Sequence, residues 1–190
     1  MANVTEKDKI TEGSGSVYQD LGLPEPIVSH LFCDLRIVAV QNSFYPIEIA
    51  VLRVIDDKPH IWSSPIYPAR SWPQQVLDAS PIDLSTAPAA EEVANQTLDL
   101  IELCEAGCVY SDSSATSGLL ERLLAEAEVG YVQKVDVLRA DQIMQDDASR
   151  RAMKQQLKVH KRISDDPRDE VKRLWTCYQT VKASEGGGAR

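Results

Sequence analysis

No stretch of eighteen or more apolar residues occurs in these 190 residues, and no basic start followed by an apolar run opens the chain. A transmembrane helix and a secretory leader are therefore not expected, and the simplest expectation is a cytoplasmic protein with no membrane partner. Cysteine is scarce. Cys33, Cys104, Cys108 and Cys177 are expected as thiols in the cytoplasm. Cys104 and Cys108 stand four apart on a helical-looking segment, but no second pair and no nearby histidine completes a zinc set. Cys33, on an apolar strand, is expected in the core. Positive charge is also short: 20 Lys and Arg face 29 Asp and Glu, for a net charge of −9. That deficit argues against a general coating of nucleic acid, which needs clustered cations. The chain lacks a Gly-x-Ser-x-Gly nucleophile elbow and any internal repeat.

What is present fits one globular domain with a substantial core, since 43% of residues are hydrophobic and 26% charged. Residues 1–26 are polar, carry a Gly-Ser-Gly-Ser run at 13–16, and are expected to form a flexible arm. The domain is expected over 27–183, with 184–190 as a flexible tail. Clusters of β-branched residues predict strands over 27–40, 45–55 and 59–66, with a turn at Asp56-Asp57-Lys58-Pro59. A proline-rich irregular stretch follows over 65–88. Helical periodicity marks 91–104 and 118–128, the latter after the good capping types Asp112, Ser113 and Ser114. Short strands are expected at 108–110 and 132–137, and two final helices at 141–159 and 167–183. Three strands followed by alternating helices and strands give an α/β domain with a mixed five-stranded sheet flanked by helices.

Asp34 and Arg36 stand two apart on the first strand, so their side chains share one face. A carboxylate flanked by Leu31, Phe32 and Leu35 needs a partner, and an ion pair with Arg36 or Arg162 is one reading of it. His160 and Asp165 stand five apart in HKRISD. Taken alone, His160 reads as a surface residue, Asp165 as a cap for the helix after Pro167, and Ser117 as a small cap or turn residue. Much of the chain's positive charge lies between Arg150 and Arg173, which reads either as a solvated helix face or as a stripe able to meet phosphates.

In order and spacing, FCDLRIVAVQNSFYPIEI (32–49), YSDSSATSGLLERLL (110–124) and HKRISD (160–165) resemble the three motifs of the DEDDh, or DnaQ-like, 3′-5′ exonuclease family. The resemblance extends over about residues 31–178 and implies a ribonuclease-H-like fold. It further implies, in a complete member, four carboxylates holding two Mg²⁺ or Mn²⁺ ions and a histidine acting as general base. Asp34 and Asp165 match metal-ligand positions, and His160 matches the catalytic one. Two positions depart from the pattern: Arg36 stands where the family has Glu, and Ser117 where it has Asp. At an effective dielectric near 20, unit charges about 4 Å apart interact by roughly 4 kcal/mol, so a guanidinium in place of a carboxylate turns attraction for a cation into repulsion.

The expectation is therefore a catalytically degenerate exonuclease-like protein, a pseudo-nuclease with no cofactor. It would serve as a binding or regulatory module for a protein partner or a nucleic-acid end, the latter met by Arg36, Lys161 and Arg162, with a homodimer as a further possibility. The alternative is an active 3′-5′ exonuclease on single-stranded DNA or RNA, using Mg²⁺ or Mn²⁺ with Glu48 and Asp112 in place of the missing ligands.

Overall fold

The computed structural model describes residues 28–102, 108–127 and 135–186. Three long strands come first: β1 (Val28–Val40), β2 (Ser43–Ile55) and β3 (Lys58–Pro65). Two-residue turns join them, and both central residues of each turn take positive φ: Gln41 and Asn42 at 50° and 63°, Asp56 and Asp57 at 49° and 60°. This backbone twist suits a tight hairpin, and Asn and Asp tolerate it better than most side chains. The proline-rich stretch holds one helical turn, α1 (Gln75–Asp78), before α2 (Ala90–Glu102). Then come β4 (Cys108–Ser111), α3 (Thr116–Leu124), β5 (Asp136–Arg139), a 3₁₀ turn (Ala140–Ile143), α4 (Asp147–Val159) and α5 (Pro167–Gly186).

The five strands form a mixed sheet in the order β3-β2-β1-β4-β5. β1, β2 and β3 pair antiparallel, while β4 runs parallel to both β1 and β5. Strand alternation sends side chains to both faces, and helices cover each. On one face Leu31, Cys33, Leu35, Ile47, Ile49 and Val51 pack against α2 and against Leu119, Leu120, Leu123 and Leu124 of α3. Cys33 is in the core as its flanking residues imply. On the other face Phe32, Ala50, Leu52 and Val54 meet Met153 and Leu157 of α4 and Val171, Leu174, Cys177 and Tyr178 of α5.

Several boundaries differ from the sequence expectation. Helix α3 begins at Thr116 rather than at Gly118, and Ala115 occupies the cap position without a side-chain bond. Ser113 instead serves the preceding turn, where its Oγ accepts a hydrogen bond from the Ala115 amide. The last strand is at Asp136–Arg139, later than expected, and part of the expected span lies outside the described residues. The segment expected as one helix from 141 is broken: the 3₁₀ turn ends at Ile143 and Asp146 opens α4, accepting from the amides of Ala148 and Ser149. An Asp cap satisfies amides that the first turn leaves unpaired, which explains the break. Residues 184–186, expected in a flexible tail, belong to α5, which continues to Gly186, and the rest of that expected tail lies outside the described residues. The expected N-terminal arm and Cys104 lie outside the described residues, while Cys108 is buried. No helix among the described residues is long and apolar enough to cross a membrane.

Candidate functional site

β1 has thirteen residues and its parallel neighbour β4 only four. Phe32 pairs with Tyr110, so β4 ends at Ser111 while β1 runs on from Asp34. A cleft of about 520 Å³ lies where the shorter strand stops. Asp34, Leu35, Arg36 and Ile37 form one wall; Ser113, Ala115, Thr116 and Leu119, at the start of α3, form another. Pro81 and Ile82 reach it from the proline-rich stretch, and Arg162 and Asp165 from the loop between α4 and α5. A crevice beside the carboxyl ends of parallel strands is a common ligand position in α/β sheets.

A β-bulge shapes this wall. Arg36 pairs with Glu48 but Ile37 pairs with Pro46, leaving Ile47 as an extra residue on β2. Leu31, Cys33 and Leu35 face one core, yet beyond the bulge Val38 and Val40 take over that role and Ile37 is exposed. Strict alternation along β1 would have buried Ile37. The inserted residue reverses the phase and brings Arg36 and Ile37 to the cleft together.

Two ion pairs stand in the site. Asp34 is 2% exposed. The Arg162 Nη1 group donates to its Oδ1 at 3.2 Å and lies 3.0 Å from Oδ2, but it is not directed at Oδ2, which has no aligned donor among the described residues. Burial pushes the Asp34 carboxyl up to about 6; the Arg162 charge opposes that rise and the negative charge of Glu170 adds to it. In the second pair Arg36 Nη1 lies 3.1 Å from Glu48 Oε2, and Arg36 Nε donates to the Asp165 carbonyl at 3.0 Å. Glu48 is buried, which raises its carboxyl above the ordinary value while Arg36 works in the opposite sense. Of the two partners left open for Asp34, the fold selects Arg162. Arg36 is taken by the cross-strand carboxylate directly opposite it.

The other candidates separate from this centre. The Asp165 side chain is exposed and lines the cleft, but the cap of α5 is Asp166. Its Oδ1 accepts the Arg168 amide at 2.9 Å, and the Arg168 guanidinium forks onto the same carboxylate at 2.9 and 3.1 Å through Nε. These bonds hold the Asp166 carboxyl down at about 2. Pro167 then takes the first helical position, where a missing N–H costs nothing. The capping role read for Asp165 is corrected accordingly. His160 and Lys161 are exposed and do not line the cleft. The backbone of His160 ends α4, its N–H donating to the Gln156 carbonyl at 2.8 Å. Ser117 lies inside α3 with its Oγ 3.4 Å from Glu121 Oε1, so it is neither cap nor turn. It is Thr116 that reaches the cleft, its hydroxyl 2.8 Å from that of Ser111.

Asp112 is bound elsewhere, to Arg173 at 2.7 Å. Arg173 also donates to Glu170 at 2.8 Å and to the carbonyls of Leu157 and His160 at 3.3 and 2.6 Å, closing the C-terminal end of α4. Burial works against this guanidinium's charge, but bonds to Glu170 and Asp112 outweigh it and hold its pKa above the ordinary value. Neither Glu170 nor Arg173 is among the residues expected at the site from the sequence. A signal existed: Val171, Leu174, Tyr178 and Val181 form the buried stripe of α5, and Glu170 falls on its edge at helical spacing.

This donor set does not fit the two-ion centre of a complete DEDDh enzyme. Among the described residues no three His, Cys, Asp or Glu side chains come together in a group able to hold a metal, and each buried carboxylate at the cleft faces a guanidinium. Chemically, the cleft offers two partly open arginines, the exposed Asp165 carboxylate, small hydroxyls and an apolar lining. Comparison with protein-family models and with curated proteins finds no match for this chain.

Proposed function

We propose that this protein is an exonuclease-like binding module, a ribonuclease-H-like domain of DEDDh type whose cleft recognises an anionic group, such as the end of a nucleic acid, rather than hydrolysing it. The observation that carries the reading is the double pairing of Asp34 with Arg162 and Glu48 with Arg36. Guanidinium groups occupy the positions beside both carboxylates where cations would be drawn, and metal-assisted cleavage would require them to leave. Their side chains are 36% and 20% exposed, so N–H donors remain for a phosphate or carboxylate entering the cleft. The mixed sheet with helices on both faces supports the family reading, as do the motif positions on β1, near α3 and in the loop before α5.

The competing reading, an active 3′-5′ exonuclease, draws on one observation: Asp34 and Asp165 line the same cleft. Labelled single-stranded DNA and RNA, incubated with Mg²⁺ or Mn²⁺, separate the two. The parent chain is expected to leave both oligonucleotides intact while binding them with an affinity that Arg162→Gln lowers. Stepwise shortening by the parent that disappears in Asp34→Asn would establish the enzyme instead.

A further inference from the structure

Between Ala148 and Ser164 the chain carries six Lys and Arg and no Asp or Glu, in a protein of net charge −9. Most of this segment is helix α4. Its apolar side, through Met153 and Leu157, is already used in the core, so the cations are confined to the outer side. Arg151, Lys154 and Lys158 are exposed and stand three and four residues apart, which places them on one helical face. At 1.5 Å per residue the rise from Lys154 to Lys158 is about 6 Å, and from Arg151 to Lys158 about 10 Å. Beyond the helix the exposed Lys161 follows in the chain, next to Arg162 at the cleft. Lys154 lies 3.4 Å from Asp141, whereas Arg151, Lys158 and Lys161 make no ion pair among the described residues.

We infer that the outer face of α4 is a track for the phosphate backbone of a single-stranded nucleic acid whose terminus lies in the cleft. The inference rests on the binding-module reading of that cleft and extends it to a contact surface. A row of cations at near-regular spacing suits a linear polyanion, each neutralising one phosphate and releasing its counterion. An anionic membrane would favour a different arrangement. Two exposed aliphatic residues, Val159 at 64% and Ile163 at 96%, do stand at one end of the row. Yet a helix lying in a membrane interface needs a free apolar face, and that of α4 is packed against α5 and the sheet. Binding is expected to weaken as salt rises, because each cationic contact releases a counterion from the polyanion, while the acidity of the remaining chain opposes approach at long range.

The test is fluorescence anisotropy with the full chain in metal-free buffer, using labelled oligothymidylates of three and twelve nucleotides across a salt titration. The shorter probe fills only the cleft, and the longer one reaches along α4. The longer probe is expected to bind at least tenfold more tightly. The variant R151Q/K154Q/K158Q should remove that advantage, lower the magnitude of the salt slope by about 2, at ~0.7 per lost contact, and leave the shorter probe unchanged. An unaltered thermal melt shows that the variant is folded, and R151Q/K158Q, which spares the Asp141 pair, gives a second measurement in the same direction. Equal affinity for both lengths, or a longer probe indifferent to both variants, overturns the track. In that case the cleft reading still stands if Arg162→Gln weakens the shorter probe. Loss of the longer probe on changing α4, with Arg162→Gln silent, would support the track and remove the cleft from it. Failure to bind either probe, or binding to vesicles of anionic phospholipid in their place, overturns the track.

Discussion

The two faces of the sheet are built from different chemistry. The face under α2 and α3 is mostly apolar, from Leu31 and Ile49 to the four buried leucines of α3, and its buried polar groups are hydroxyls such as that of Thr97 rather than charges. The face under α4 and α5 carries an apolar core as well, but at its cleft end it also holds Asp34, Glu48 and Glu170, all under 9% exposed, with Arg162, Arg36 and Arg173 against them. Buried ion pairs contribute little net stability, because desolvation offsets most of the attraction, whereas removing one partner strands a charge. The apolar face thus supplies folding energy by burial. The charged face fixes geometry: it ties the loop between α4 and α5 to β1 and closes the end of α4.

Arg173→Ala should break this comparison most severely. It strands Glu170, 4% exposed, and frees the carbonyls of Leu157 and His160 at the end of α4, so a loss of about 3–5 kcal/mol is expected in urea denaturation, with the Asp112 side chain released. Leu123→Ala, at a fully buried position of the apolar face, should cost about 3 kcal/mol through lost burial and a residual cavity. It should leave the proposed binding of oligonucleotides at the cleft unchanged once corrected for folded fraction. A smaller effect, visible only against pH, is expected from Asp34→Asn. The Asp34 carboxyl binds its proton more tightly in the folded chain, at about 6, than in the unfolded one, near 3.8. Its contribution is therefore complete below about 4 and is lost as pH rises through 6. Parent and variant stabilities compared by urea midpoint should shift relative to each other by about 2–3 kcal/mol between those limits, the variant gaining at the higher pH. A constant difference across that window would show that Asp34 is not buried as described.

Local chemistry made much of the architecture legible. The Asp56-Asp57 turn, the apolar runs of β1 and β2, and the leucine spacing of α3 each follow from propensity and periodicity over a few residues. The bulge at Ile47 was not legible, since an extra residue on one strand shows only when its partner is laid beside it. For the same reason the exposure of Ile37 escaped pattern reading. Helix α4 began later than periodicity suggested because Asp146 offered a better cap. Among the candidates, Asp34 and Arg36 were singled out by the resemblance of their segment to a family motif, and the shared face of i and i+2 on a strand accounts for their spacing. Glu170 and Arg173 were missed because a charged pair on a long helix looks like solvated surface until the helix is docked.

Composition, turn chemistry and hydrophobic period thus determined by themselves that the described part of this chain forms an α/β domain with a five-stranded sheet, and that a carboxylate on its first strand would need a cationic partner. Which cation answers it was decided only by the tertiary structure. Asp34 and Arg162 are 128 residues apart in sequence, Arg36 is claimed by the glutamate facing it across the hairpin, and the cleft exists because β4 stops short of β1. Interactions within a few residues are fixed by covalent geometry. Those that close across the chain depend on how the layers stack, and the charged end of this sheet is made of the second kind.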